Sequence, residues 1–412
     1  MCKSFVCFKY EKIHFPCVTL MLAIPMATTP NKEASPKAAF NREAKDRIGT
    51  AILRELSMDA RQSLSAMAEK TGASKTAVFN ELNSLIEQKD IKFVPEINLE
   101  ELWRHELLYT TKWMQKREFR QLDIHQIGFT EYVGFVKFIG KKPSDEEIAK
   151  AVRASYIPQN VSAVYGRYDL FMYLVARDHA DINVFVNAFN KSLPGYKMIV
   201  RIRPVRKSFG FFPLRNELIE QFKLPEKYKK LLVSLNNGSR GQLGQGQEPD
   251  KNAITYIYKT LIEYGIVSRT TMYMRNPDNG FAGIISYSIV DHQQFQKSKY
   301  KWFEHLVKMD GNKLGTYTFM ADVHEPYGGI IIANAKNAAC FEGIKKSIES
   351  LRLGIEVESM IFSRQIIGEL GVRNFDLRYS NQYGMLATEG LVPKVCTDRY
   401  AKERAKQAYI EI

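Results

Sequence analysis

Apolar residues change their period along this chain, and each change predicts a different element. Ile48, Ile52 and Leu56 recur at i, i+4 and i+8, the spacing that lays one helical stripe on a core. Ser63 is placed to cap a short second helix, LSAMAEK, with Leu64, Met67 and Ala68 facing inward, and Thr71-Gly72-Ala73 stops it. Ser74 caps a third helix. There Val78, Leu82 and Leu85 fall at i, i+4 and i+7 and must face the core, which turns Thr76, Asn80, Asn83 and Glu87 the other way. Two short helices, a glycine turn and a third helix with a polar outer face predict a helix-turn-helix, and IKFVPEI reads as the returning strand of a wing.

Residues from Leu99 to Arg120 predict a long helical connector with Lys112, Lys116 and Arg120 at i, i+4 and i+8 beside Trp113. A solvated linker face is the plainer reading of that stripe, and a phosphate-contacting one the alternative. The period then shortens to two. EYVGFVKFIG predicts a strand, SDEEIAKAVRAS an amphipathic helix, VSAVYGRYDLFMYLVARD two strands joined at Gly166, DHADINVFVNAFNKSL a helix and YKMIVRIRPVRK a strand with Arg201, Arg203 and Lys207 on its outer face. The order β-α-β-β-α-β is ferredoxin-like.

A second, eroded version follows. Glu226 to Leu235 reads as another first helix, and Asp250 can cap a helix in which Ile254, Tyr258 and Leu261 repeat the spacing of Val78, Leu82 and Leu85. Between them, GQLGQG places three glycines in six residues, each costing about 1 kcal/mol in a helix relative to alanine. The intervening helix is therefore expected to be absent, and the run to be a flexible loop rather than a phosphate cradle, since no strand precedes it and no Lys-Ser/Thr follows. GFAGIISYSIV, HQQFQKSKYKWFEHLVK, LGTYTFMADV, GGIIIANAK, AACFEGIKKSIESLR and GIEVESMIFS then repeat the β-α-β-β-α-β order, with Tyr327 answering Tyr168 but Gly328 standing where Asp169 stood.

Length and charge narrow the function. The 412 residues can bury several cores, and no apolar run approaches the roughly 18 residues that span a bilayer. A formal charge of +14 favours a polyanionic partner. Cys2, Cys7 and Cys17 cluster at the start while Cys340 and Cys396 are isolated without metal-ligand spacing, which fits a reducing, cytoplasmic setting and implies no metal. The opening apolar stretch, Val18 to Ile24, is too short and proline-bracketed for an export signal, so a natural start at Met26 is expected.

The stretch DRIGTAILRELSMDARQSLSAMAEKTGASKTAVFNELNSLIEQKDIKFVPEI resembles the winged helix-turn-helix of the Lrp/AsnC transcription regulators, in its leading DRI, ILREL core helix, LSAMAEKTGAS turn and LIEQ exit. The β-α-β-β-α-β run resembles their effector-sensing RAM domain, most sharply at VYGRYDLF, where family members carry G-x-Y-D and use this turn to bind amino acids between subunits. The expected fold class is therefore α+β, a winged helix-turn-helix followed by a ferredoxin-like domain, the pair duplicated in tandem. The expected domains are an N-terminal arm (1–45), the winged helix-turn-helix (46–98), the connector (99–131), a RAM-like domain (132–222), a degenerate winged helix-turn-helix (223–278), a second RAM-like domain (279–378) and a charged tail (379–412).

The resemblance implies a sequence-specific regulator that binds double-stranded DNA, responds or not to an amino acid or other small metabolite, pairs as a homodimer or higher homo-oligomer through its RAM-like domains, and needs no cofactor. Ser74, Lys75, Thr76, Asn80 and Asn83 would face the major groove, where Asn can bond adenine bidentately and a Thr methyl can touch thymine. Family members commonly carry arginines at the positions of Asn80, Glu81, Asn83 and Ser84. Here Lys75 stands against Glu81 and Glu87, so Ser74 to Gln88 has a formal charge of minus one, and phosphate affinity would come from Lys112, Lys116, Arg117 and Arg120 or the N-terminal arm. In the sensing turn, Gly166 permits the bend, Tyr168 can stack or donate, and Asp169 can pair with an ammonium group; the plain alternative is a hairpin whose Asp serves the backbone.

Two other classes compete. One is a metabolite-sensing scaffold that has given up DNA. The other is an enzyme, since siroheme decarboxylases look like the same two modules in fused pairs. Their H-x-Y-x-R and W-P-Y-N type runs are missing and the seven histidines are scattered, so the expectation is that the chain is not an enzyme.

Overall fold

The computed structural model describes residues 48–49, 51–53, 55–56, 60–89, 91–103, 105, 128–209, 212–237, 251–274, 281–309, 315–323, 327–335 and 337–368. The stripe of Lys112, Lys116 and Arg120, the glycine-rich run after Asn237, the N-terminal arm and the C-terminal tail lie outside them.

The first helical head forms as its pattern predicts. Ile52 and Leu56 are buried on the opening helix. Helix α1 (Leu64–Thr71) starts where the Ser63 hydroxyl accepts the Ala66 N–H at 3.1 Å and ends at Gly72, whose φ of 65° lets its N–H reach back to Ala68 and Glu69. Helix α2 (Lys75–Lys89) begins on Ser74, which accepts the Ala77 N–H at 3.2 Å. Val78, Leu82 and Leu85 are buried with Ile52, Leu56 and Met67, each contributing about 1.5–3 kcal/mol by leaving water. Strand β1 (Ile91–Ile97) follows.

The next unit runs β2 (Thr130–Ile139), α3 (Asp145–Arg153), β3 (Pro158–Tyr165), β4 (Leu170–Ala176), α4 (His179–Ser192) and β5 (Lys197–Phe209). Ser144 and Glu147 form a reciprocal capping box on α3, and Asp178 caps α4 through the Asp181 N–H. A short helix α5 (Asn216–Ile219), α6 (Glu226–Asn237) and α7 (Lys251–Glu263) lead into β6 (Val267–Met274). The last unit is β7 (Phe281–Ile289), α8 (His292–Met309), β8 (Gly315–Val323), β9 (Tyr327–Ala335), α9 (Ala338–Glu349) and β10 (Ile355–Ile367).

Strand pairing departs from the expected wing. β1 pairs antiparallel with β6 instead of closing a hairpin beside α2, with Ile91 opposite Met274 and Val94 opposite Thr271. Met272 thereby enters the first head's core, and the Ala60 N–H donates to the Thr270 carbonyl at 2.8 Å. Isolated two-stranded ribbons are marginal in water, and this one is held by its helical cover.

The remaining eight strands form one curled antiparallel sheet that closes in the order β10-β3-β4-β2-β5-β8-β9-β7. One half is β3-β4-β2-β5 and the other β8-β9-β7-β10; they join at the β5·β8 and β10·β3 seams. The inner face holds Val133, Phe171 and Tyr173 of one half against Ile284, Ile332 and Met360 of the other. α3 and α4 cover the outer face of the first half through Ile148, Val152, Ile182, Phe185 and Phe189. Covered on both sides, β4 is buried at every position. The fold is thus mixed α+β, and among the described residues no helix is long and apolar enough to cross a membrane.

Candidate nucleic-acid interface and sensing turn

Because Val78, Leu82 and Leu85 point into the head's core, the opposite face of α2 is turned to solvent. Ser74, Lys75, Thr76, Asn80, Asn83 and Glu87 are all exposed there. The sequence pattern missed one member of this face. Phe79 is 49% exposed amid the polar side chains; its place one residue off the buried stripe was the available signal. The expected phosphate contacts Lys112, Lys116 and Arg120 lie outside the described residues.

The Gly166–Asp169 turn, expected from the sequence to sense an effector, sits at the β10·β3 seam. Gly166 has φ 144°, and a Cβ there would stand 2.9 Å from Met360 Cγ and 3.3 Å from the Ser359 carbonyl, so the passing β10 requires glycine. Arg167 crosses the seam to ion-pair with Glu358. Tyr168 is buried, its ring stacked on Phe135 with centroids 5.0 Å apart, and its hydroxyl accepts from Arg201 Nη1 at 3.1 Å.

Arg201 and Arg203 therefore do not lie on the outer face as the alternation suggested. Arg201 stands opposite Phe135 and Arg203 opposite Val133, on the barrel's inner side with Tyr168. Strand alternation identifies two faces but not which one is inside, and here both are covered.

Asp169 is committed to its own chain. Its Oδ2 accepts the Phe138 N–H at 2.8 Å, and its Oδ1 pairs with Lys142 at 2.6 Å and Lys137 at 3.3 Å. Burial pushes its pKa upward, but the Lys142 bond, the Phe138 amide and the charge of both ammonium groups outweigh that and hold the carboxyl below the usual range. In the second turn, a Cβ on Gly328 would run into the Tyr287 ring and stand 2.9 Å from Ile289 Cγ1. Glycine in place of aspartate is a packing requirement of β9 crossing Tyr287.

The inner face also carries a part-buried polar cluster around Tyr173 that sequence reasoning missed. Tyr173 donates to Glu131 Oε1 at 2.6 Å, Ser208 donates to Oε2, and Phe212 stacks on Tyr173 with centroids 4.4 Å apart. Burial raises the Glu131 carboxyl, with the Ser208 and Tyr173 bonds pulling the other way; burial and the neighbouring carboxylate push Tyr173 well above its ordinary value. Among the described residues, no group of three or more His, Cys, Asp or Glu is placed to hold a metal ion.

Neither a protein-family model nor a curated protein sequence matches this chain. Solved structures do. The siroheme decarboxylase NirDL is similar over 82% of this chain and 99% of its own, at 12% identity and a TM-score of 0.46. The leucine response regulatory protein LrpA of Mycobacterium tuberculosis covers 38% of this chain and 89% of its own (14% identity, TM-score 0.27). An AsnC family transcriptional regulator from Agrobacterium tumefaciens covers 44% and 98% (17% identity, TM-score 0.27). The expectation that the chain is not an enzyme is corrected by the first of these, an enzyme matched along 99% of its length.

Proposed function

We propose that this chain is a sequence-specific DNA-binding transcription regulator of Lrp/AsnC type, built as a tandem pair of helical heads (46–98 and 223–278) and RAM-like units (132–222 and 279–378). The observation that carries the reading is the exposed polar face of α2. Thr76, Asn80 and Asn83 stand in solvent on a helix whose other side is fixed in a core, with Ser74 capping the end that would approach a phosphate. The chain's charge of +14 supplies the sequence-independent attraction that α2 itself lacks.

An effector at the sensing turn would meet Asp169 already clasped by Lys137 and Lys142. A carboxyl-bearing metabolite held by those two ammonium groups suits this geometry better than an amine seeking Asp169. Pairing of chains would use helical faces or the ribbon, since every strand of the barrel has both neighbours.

The test is a gel-shift assay at fixed salt on duplexes selected from the source genome, comparing the natural chain with Asn83→Ala and Lys75→Ala. Asn83→Ala should cost about 1–3 kcal/mol on the preferred duplex and little on random DNA. Equal binding of preferred and random duplexes by all three proteins would overturn the reading.

A further inference from the structure

We propose that the second helical segment is itself a DNA-reading head, so that one chain engages both halves of a site whose halves differ in sequence; this rests on the reading of α2 given above. The ribbon carries the inference. Ile254, Tyr258 and Leu261 match Val78, Leu82 and Leu85 at an offset of 176 residues (254 − 78 = 176). Under that offset Val94 corresponds to Thr270 and Pro95 to Thr271. The observed register pairs Val94 with Thr271 and Pro95 with Thr270, so exchanging the two segments carries each pair onto the other. A local two-fold axis thus passes through the middle of the ribbon and relates α2 to α7. The barrel obeys the same exchange, which turns the β5·β8 seam into the β10·β3 seam. Two-fold symmetry is also the operator that relates half-sites along a duplex.

The face that α7 presents is built for a polyanion. By the same offset, Tyr256, Lys259 and Glu263 fall where Asn80, Asn83 and Glu87 fall on α2, and all three are exposed, Tyr256 by 66%. Leu261 is buried as Leu85 is. Over matching spans, Lys251 and Lys259 against Glu263 give Lys251–Glu263 a formal charge of +1, compared with minus one for Lys75 to Glu87, while Asp250, which answers Ser74, stands just before α7. A lysine ammonium can bond guanine O6 or N7 or a phosphate, and a tyrosine hydroxyl can reach a phosphate. The first head offers amides suited to adenine. One axis relating two different reading surfaces specifies a site that is two-fold in spacing but not in sequence.

Selection of the full-length chain against a pool of random-core duplexes, followed by hydroxyl-radical footprinting and mass photometry, tests this. The expected result is one chain per duplex, with two protected segments about 10–10.5 bp apart or a multiple of that and dissimilar in sequence. Lys259→Ala and Tyr256→Ala should each retain the natural melting temperature, since both side chains are exposed, and should remove protection from one segment while weakening binding at least about tenfold together. Asn83→Ala should remove it from the other. Protection of a single segment that is indifferent to Lys259 and Tyr256 but lost with Asn83→Ala would overturn this inference and leave the proposed function standing, as would two chains on two identical half-sites. Enrichment of no sequence at all would overturn both.

Discussion

Inside the barrel, the buried Tyr173 of β4 donates its hydroxyl proton to the half-buried Glu131 carboxylate of β2 at 2.6 Å. Burial raises the folded pKa of Glu131 above its unfolded value of about 4.5. The folded chain therefore holds that proton more tightly than the unfolded one. The stabilisation this gives is complete below about pH 4.5 and is lost as pH rises through the raised folded value. Glu131→Gln keeps an acceptor for Tyr173 and removes the titration. Urea denaturation of the two proteins from pH 4.5 upward should show the natural chain losing stability relative to the variant; parallel curves would show that Glu131 does not titrate differently on folding.

Asp169 works in the opposite sense. Its folded pKa is lowered, so its contribution is present above the unfolded value of about 3.8 and disappears as pH falls through the lower folded value. Asp169→Ala should cost about 1–3 kcal/mol at neutral pH, because the buried Phe138 N–H loses its acceptor. The deficit should shrink in strong acid, where the ionised carboxylate no longer contributes and a neutral carboxyl oxygen still accepts the Phe138 N–H. A loss that persists unchanged there would mean that packing, not the carboxylate, is responsible.

Restoring aspartate to the second turn should fail. Gly328→Asp drives a side chain into the Tyr287 ring, an overpacking error worth about 1–3 kcal/mol or more. Tyr287→Ala in the same chain should recover part of the loss in melting temperature, despite being destabilising alone. Additive losses would contradict the clash.

The acidic residue near the exit of α2 should weaken DNA binding without setting its specificity. Glu87 is exposed on the same face as Asn83, so Glu87→Lys should raise affinity for all duplexes and steepen the salt dependence by about one unit of slope. An unchanged slope would place Glu87 away from the phosphates.

The helical head was legible from the sequence because its determinants are local. Ser63, Gly72 and Ser74 mark boundaries within one turn of the residues they serve, and Val78, Leu82 and Leu85 identify the buried side by spacing alone. The pairing of Val94 with Thr271 was not legible, since nothing near either residue names a partner on a distant segment. Any antiparallel strand would satisfy β1's alternation. Arg201 and Arg203 misled for a related reason: a charged residue in alternation with apolar ones reads as outward, yet the barrel interior retains Arg201 by giving it the Tyr168 hydroxyl and retains Glu131 by giving it Tyr173 and Ser208. Glu131 sits near the start of β2, next to the largely apolar and aromatic run Tyr132 to Val136, which was the one clue to its partial burial.

Closure of the barrel within a single polypeptide changes what dilution can do. Where two separate subunits supply such halves, their docking is bimolecular and the folded fraction falls as the protein becomes scarce. Here the β5·β8 and β10·β3 seams tie together parts of one covalent chain. The interior they enclose, with Tyr168, Glu131 and Tyr173 inside it, persists at a few copies per cell as fully as at high abundance.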